Sequence, residues 1–543
     1  MVGAFRLPAG STTTPPVGPT ATPWVRPADW LAMPTPGTQE VIGLLAIFDD
    51  TNYIALQCIG AYTVDWGDGT TTNYASNAVA SKTYAYSSID AGTTTTRGYR
   101  QVLVRITPQA GVNLTSAAFN IQHPSLTKAY TTGWLDFDIQ MPNGTPIWSG
   151  HTNVIRYHRI ERVIIRDMAL GSFMGNMFNT MTNLQSVYVE PTKTATSTNF
   201  NGTFGNCFAL QEAPFMDTSA GTSFNTMFGS CYNLLVVPQY NLVNAVTLDN
   251  MFSTCRSLEA IPLFNIGTKP NITMSTMFNE CTDLKTIPLL NTSTVINMNS
   301  MFSNCRSLQS IPLLDLSSCT NTGAMFSACV SLSSIPLLNT LKSTNMNNMF
   351  GSCQSLTTIP LLDTGKVLSF NSMFTTCQSL RYIAPINTEL GTDFASMFSG
   401  CNSLEEVPLL NTGSASTFNA MFNGCVQLQA IPAFNTTKVT IFNNAFNGCL
   451  ALRELPALNF SLGTSFTTFI GQNLSLGRSN VFGGRFAQSY TNMALSTPEI
   501  VNIFTNLGTA SGTQAITVSS NPGYAALTAA ERLIATSKGW SIA

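Results

Sequence analysis

The sequence is 543 residues long, with 25 Lys or Arg, 27 Asp or Glu and a net charge of −2. Charged residues make up 10 % of it, against roughly 25 % in an ordinary soluble domain. It therefore lacks the dense cationic stripe that a nucleic-acid partner or an anionic membrane surface needs, and 44 % hydrophobic residues exclude a disordered chain.

Residues 1–38 are rich in Pro, Thr and Gly and carry Trp24-Val25-Arg26-Pro27-Ala28-Asp29-Trp30. Such a segment builds no core alone, so it is expected to lie extended as a docking arm with Trp24, Arg26 and Trp30 as contacts. Met1 to Pro16 holds one Arg and no apolar stretch, so no secretory signal is expected. The longest apolar run, Val41 to Phe48, falls far short of the about 20 residues of a membrane span, and no membrane insertion is expected.

In residues 39–110, Tyr62-Thr63-Val64-Asp65-Trp66-Gly67-Asp68-Gly69-Thr70 precedes Thr83-Tyr84 and Gly98-Tyr99-Arg100-Gln101-Val102-Leu103-Val104-Arg105-Ile106. The Asp-Gly pair supplies the tight turn of a hairpin. These residues resemble a PKD-type β-sandwich, in which a Trp-Gly-Asp-Gly turn links two strands and a Gly-x-Tyr-x-Val strand closes the sheet. The adjacent Gly98-Tyr99 departs from that pattern. The resemblance implies an interaction module. Residues 111–170 read as a β-rich connector and as the N-terminal cap of a solenoid. There Asp136 and Asp138 alternate on the strand Trp134-Leu135-Asp136-Phe137-Asp138 and are expected to face solvent. His123, His151 and His158 read as ordinary polar residues, since His151 and His158 lack a third metal ligand.

Residues 171–470 are a repeat. A Phe, usually after Met, recurs at 178, 204, 228, 252, 278, 302, 326, 350, 374, 398, 422 and 446, and a period of 20 to 30 residues marks a solenoid. From Cys207 to Cys449 a Cys follows the Phe by three positions, and a large apolar residue precedes it by four, except at Thr322. Apolar positions at −4, −1, 0 and +3 predict one face of a helix of about two turns. Asn, Ser, Thr or Asp at −5 suits an N-cap, with Ile441 breaking the pattern. Next comes a short extended segment such as Ser307-Leu308-Gln309-Ser310-Ile311-Pro312-Leu313-Leu314, with Leu and Ile expected inward. Its Pro limits strands to about three or four residues. Asn or Asp at +13, from Asp217 to Asn459, is expected to turn the coil by Asx-type bonding. The predicted fold is a leucine-rich-repeat-like solenoid, with a short helix and a short parallel strand per 24-residue coil, preceded by an all-β sandwich.

These residues resemble the leucine-rich repeats of the BspA-like surface proteins, with their Met-Phe-x-x-Cys-x-x-Leu core. The resemblance runs from about Met177 to Leu458 and implies display and binding, with no shared catalytic residues. Residues 471–543 are read as a helical cap: Leu527 to Trp540 is amphipathic, with Thr528 and Glu531 as a capping box and Gly539 as its stop.

Little points to catalysis. The 13 cysteines hold no Cys-x-x-Cys, and the eleven at the repeat position read as small core hydrophobes; Cys58 and Cys319 receive no role. Neither a calcium loop nor a nucleophile elbow is found, so no cofactor or metal is expected. Between Leu and Ile of each extended segment, the variable positions include Glu259, Lys285, Arg381-Tyr382, Glu405-Glu406 and Arg453-Glu454. Glycoside hydrolysis needs two carboxylates about 5–9.5 Å apart, which adjacent coils can supply. A polysaccharide depolymerase tail spike is thus one alternative, and a cellular surface adhesin another. The favoured reading treats Arg381, Tyr382, Glu405, Glu406, Arg453 and Glu454 as surface contacts of a non-enzymatic protein. The order of arm, β-module, repeats and cap resembles tailed-bacteriophage virion proteins of fibre or capsid-decoration type. That resemblance implies synthesis in the host cytoplasm and a place on the virion surface. Its implied partners are other virion proteins and a host-surface glycan or protein, and a homo-oligomer is left open.

Overall fold

A computed structural model describes residues 24–49, 52–126, 131–148, 159–169 and 174–543. Two sheets form the N-terminal sandwich. The larger contains β1 (Glu40–Ile47), β3 (Tyr62–Asp65), β4 (Thr71–Tyr74), β6 (Arg100–Pro108), β8 (Trp134–Gln140), β10 (Arg162–Asp167) and β11 (Ser186–Val189), in the order β11-β10-β8-β1-β6-β3-β4. The smaller contains β2 (Asn52–Ile59), β5 (Val79–Tyr84), β7 (Ser116–Ala118) and β9 (Thr145–Ile147), in the order β5-β2-β7-β9. The predicted hairpin is β3–β4, with Tyr62 opposite Tyr74. Its Gly67 and Gly69 have φ of 75° and 85°, a region open to glycine without a Cβ clash.

β1 is buried along its whole length, as expected of a strand covered on both faces. One face packs into the main core; the other, with Leu44 and Ala46, lies under Trp30 and Leu31. Residues 24–36 thus form a strap across the large sheet.

The sandwich does not stop near residue 110. β8 pairs antiparallel with β1 but parallel with β10, and β10 pairs parallel with β11. The solenoid's first parallel rungs therefore belong to the sandwich's own sheet. Trp148 packs with its ring 5.8 Å from, and tilted 33° to, that of Phe178, the first ring of the repeat column, and one hydrophobic core runs through both regions.

The repeat is a solenoid, but its Phe segment is not helical. Non-glycine residues at −2 and +2 take positive φ, as in Ser300 (54°) and Asn304 (61°). Alternate amides then point in two directions. Met298, Ser300, Phe302 and Asn304 donate to Asn321, Gly323, Met325 and Ser327 of the next coil, while Met301, Ser303 and Cys305 donate three residues back. Stacking distance explains the departure. The Phe rings from 178 to 446 stack 5.1–5.8 Å apart, whereas packed helices need axes about 8–10 Å apart. The −5 residues still perform the capping chemistry: Asn297 accepts from the Asn299 amide at 3.0 Å and Asn345 from Asn347 at 3.1 Å. They also bridge coil to coil, as from Asn297 to Asn321 to Asn345.

Ahead of the Pro column the ladder thins to scattered backbone bonds, such as Gln309 N–H to Lys285 O at 3.3 Å. The Asx turns form as expected in every coil except that of Asn265; Asn411 accepts from Gly413 at 3.2 Å and Asn435 from Thr437 at 3.1 Å. In six coils the next residue, a buried Thr, ties the turn to the following coil: Thr364 Oγ1 donates to Asn387 O at 2.6 Å and Thr412 Oγ1 to Asn435 O at 2.8 Å.

After the short α1 (Pro191–Thr194), helices return at the C-terminal end as α2 (Thr497–Asn506) and α3 (Ala529–Thr536). This end is not a separate cap. Strands Gln488–Ser489, Gln514–Thr517 and Trp540–Ile542 pair in parallel, so the coiling continues with helices between them. The Thr528–Glu531 capping box forms.

Candidate interaction surface

Six extended segments of the repeat turn one Leu outward. The Leu314 amide donates to Pro312 O at 2.9 Å, a two-residue closure that is an inverse γ-turn. Ile311 and Leu314 are buried while Leu313 between them is not. The expectation that Leu and Ile all face inward therefore fails at one position in each of these six coils. The result is a stripe of Leu263, Leu289, Leu313, Leu337 and Leu361 on successive coils, with Phe215 and Leu409 beyond. Its leucines are 53–70 % exposed. Isolated exposed leucines are ordinary, but a continuous apolar ridge marks a contact surface.

The charged candidates lie beside this stripe. Arg381 Nε donates to Glu405 Oε1 at 2.9 Å and the Tyr382 hydroxyl to Glu405 Oε2 at 2.8 Å. The Tyr382 hydroxyl and then the Arg381 guanidinium hold the Glu405 carboxyl below its ordinary range. A glycosidase acid needs a raised pKa instead, so Glu405 does not suit that role, and it is paired with Arg381 on the surface. Lys285 and Glu259 make a similar pair at 2.6 Å. Glu454 lies 3.8 Å from Arg478, which also meets Glu499 at 3.4 Å. Glu406 and Arg453 are exposed and make no ion pair among the described residues.

The three arm candidates are engaged within the chain. Trp30 is buried and its Nε1 donates to the Tyr99 hydroxyl at 2.9 Å. Trp24 packs on Trp30 with ring centroids 6.1 Å apart. Arg26 Nε donates to Asp136 at 2.8 Å, and its other nitrogens reach the Trp30 and Leu31 carbonyls. These residues fasten the strap and do not form a free docking surface.

Asp136 and Asp138 are not solvent-facing. Asp136 is fully buried between Arg26 and Arg162, the latter bidentate at 2.8 and 2.7 Å. Asp138 is bound in the same way by Arg166, at 2.7 Å for both bonds. Parallel pairing of β8 with β10 brings these residues into register, which strand alternation alone could not reveal. His123 is buried, and burial pushes its pKa down; His151 and His158 lie outside the described residues. No metal-holding group of His, Cys, Asp or Glu occurs among the described residues.

All 13 cysteines are buried and free, as expected from spacing for the eleven of the repeat; Cys58 and Cys319 are buried too. Each repeat thiol donates to the Phe carbonyl one coil back, as Cys305 does to Phe278 at 3.1 Å. Burial pushes the Cys231 thiol up to about 12, so these groups are not nucleophiles at neutral pH.

A family model described as "Mycoplasma protein of unknown function, DUF285" matches residues 172–265, 246–361 and 344–457. Among solved structures, a leucine-rich repeat protein from Eubacterium ventriosum is 16 % identical over 58 % of this chain and 87 % of its own, with a TM-score of 0.33. A leucine-rich repeat protein of Leptospira interrogans is 12 % identical over 71 % of this chain and 84 % of its own, with a TM-score of 0.21. No curated protein matches.

Proposed function

The chain belongs to the family described as "Mycoplasma protein of unknown function, DUF285", whose matches span more than half of it, and from that premise we propose a non-enzymatic surface protein that binds a protein partner along its leucine stripe. The stripe is the observation that carries this reading: it is apolar and repeats on successive coils. Around it lie mostly neutral Ser, Thr and Asn, and the few charges form opposite-sign pairs between coils, as Lys285 does with Glu259, since like charges stacked rung on rung would repel. Bonding between coils keeps the stripe rigid, so little ordering cost is incurred on contact.

The virion surface is the proposed setting, supported by the order of strap, sandwich, repeats and C-terminal coils along the chain. Immunogold labelling of intact bacteriophage particles tests it, with label on head or tail expected and label on uninfected cells contradicting it. The stripe is tested by Leu289→Ser, Leu313→Ser and Leu337→Ser together. At exposed positions each change should shift stability by no more than about 0.5 kcal/mol. Retention on the particle or on host cells should fall at least about tenfold, a loss of about 1.4 kcal/mol. Unchanged retention by the folded triple variant would remove the stripe from the function.

A further inference from the structure

Between the coils of Phe466 and Tyr490 the bonding of the solenoid is interrupted. One coil earlier, the amides of Phe442, Asn444, Phe446 and Gly448 donate to the carbonyls of Ser465, Thr467, Phe469 and Gly471. The equivalent amides of Phe466, Thr468, Ile470 and Gln472 donate to no acceptor among the described residues. The bridge from Ile441 to Ser465 has no continuation to Ser489, yet pairing resumes from Ser489 to Thr517. One rung is missing. A bridge is also missing between Asn345 and Ser369, but there the amides of Asn348, Phe350 and Ser352 still hold the next coil. At the Phe466 coil the bonds to the next coil lie away from this wall, with Ala494 N–H donating to Leu476 O at 3.0 Å, and Gly483 N–H to Asn506 O and Gly508 N–H to Gly484 O at 2.9 Å.

The break coincides with the end of the Phe column. Ile470 stands where the next Phe would be, and Phe469 meets Tyr490 edge-on at 5.3 Å and 81°. The opening is a slit of about 380 Å³, with Thr464–Thr468 on one wall and Phe486–Ser489 on the other, beside Gln514 and Thr517. Gln488 lines it and is 3 % exposed; its Oε1 accepts from the Tyr490 hydroxyl at 3.3 Å, but its Nε2 has no partner.

We propose that this slit binds an extended polypeptide segment of another protein, which enters as the missing rung. The unpaired groups are donors, and on the Thr464–Thr468 wall they sit on alternate residues, Phe466 and Thr468. A strand presents carbonyls along one edge at the same two-residue interval, about 6.6–6.8 Å. The five-residue wall accommodates about four residues of such a strand. Main-chain bonding then supplies affinity, as in strand addition at a sheet edge. Phe466, Phe486 and the neighbouring hydroxyls meet its side chains, and the lining holds no charged side chain. It therefore selects apolar and hydroxyl-bearing residues, and binding is insensitive to salt. A saccharide offers hydroxyls without that two-residue repeat. This site is separate from the leucine stripe and stands independently of it.

Amide hydrogen exchange on the full chain tests the proposal. In the free protein the Phe466 and Thr468 amides should exchange at least about tenfold faster than those of Phe442 and Asn444; equal protection would overturn the open rung. The probe is the blocked pentapeptide acetyl-Thr-Val-Thr-Val-Thr-amide, which should slow exchange at Phe466 and Thr468 at least about tenfold. Ala487→Trp, at an exposed position of the slit wall, should abolish that protection, and Ala515→Trp provides a second plug should the first misfold. Protection by maltotriose in place of the peptide, no protection by the peptide, or undiminished peptide protection in a folded plugged variant would each overturn the proposal.

Discussion

The sandwich and the solenoid share one sheet and one core, yet they handle charge in opposite ways. On the sandwich, buried or partly buried carboxylates are paired with arginines from distant segments: Asp136 with Arg26 and Arg162, Asp138 with Arg166, Glu40 with Arg105, and Glu161 with Arg97. Each pair occurs once and pins one element to another. In the solenoid, the repeated buried polar groups are neutral: a Thr hydroxyl on a carbonyl, and a Cys thiol on a Phe carbonyl. The geometry recurs every coil, so a charge placed there would meet its own kind about 5 Å away. A unique fold can use ion pairs as pins, whereas a repeated one has to rely on bonds that tolerate being stacked.

The largest test cuts between the two regions. Removing residues 1–160 takes β8 from β10 and Trp148 from Phe178. The exposed parallel edge and apolar end should drive aggregation, visible by size-exclusion chromatography; a monodisperse rod would mean the regions fold independently. Next in size is Asp136→Ala, which leaves Arg26 and Arg162 without their shared carboxylate. Breaking a buried pair costs about 3–5 kcal/mol, and the urea midpoint followed by Trp fluorescence should report it, since five of the six Trp lie in residues 24–148. A smaller loss is expected in the solenoid from Thr364→Val. It strands the Asn387 carbonyl at a cost of about 1–3 kcal/mol, measured by the far-UV circular dichroism midpoint.

The smallest effect concerns acid. Bonds from the Thr96 hydroxyl and amide hold Asp29 below its ordinary value. Desolvation pushes Asp68 up, but Lys82 and Thr70 outweigh it and hold it down. For carboxyls depressed in this way, stability is present above the unfolded value near 3.9 and is lost as pH falls through the folded pKa. Acid should therefore quench the native Trp signal of the sandwich before the far-UV signal of the solenoid. Within the solenoid, Asp315 is held down by the Ser317 side chain and amide. Asp315→Asn should leave neutral stability unchanged and remove that site's acid sensitivity; an unchanged acid response would remove the Asx turn as its source.

Much of the solenoid was legible because its signals are local. The period, the Asx turns at the Asn or Asp column, the buried Cys and the Thr528–Glu531 capping box each depend on residues a few positions apart. The helix expected around Phe was not legible as a series of turns, because apolar residues at −4, −1, 0 and +3 satisfy both conformations. The outward Leu left a trace in the Leu-Leu doublet after Pro, since two adjacent residues of an extended segment cannot both face inward. Trp24, Arg26, Trp30 and Asp136 left none: their partners lie up to 110 positions away.

The sequence by itself determined that this chain is a coiled repeat, what fills its interior and which side chains turn each coil, because a repeated unit states its contacts again and again. Tertiary structure decided the rest. A spacing of just over 5 Å between coils excluded helices from the Phe column and sent alternate amides to the neighbouring coil. Parallel pairing of β8 with β10 buried two aspartates and fused sandwich to solenoid. Only the stacking of successive coils shows that their outward leucines join into one stripe and that one rung, between Ser465 and Ser489, is left open.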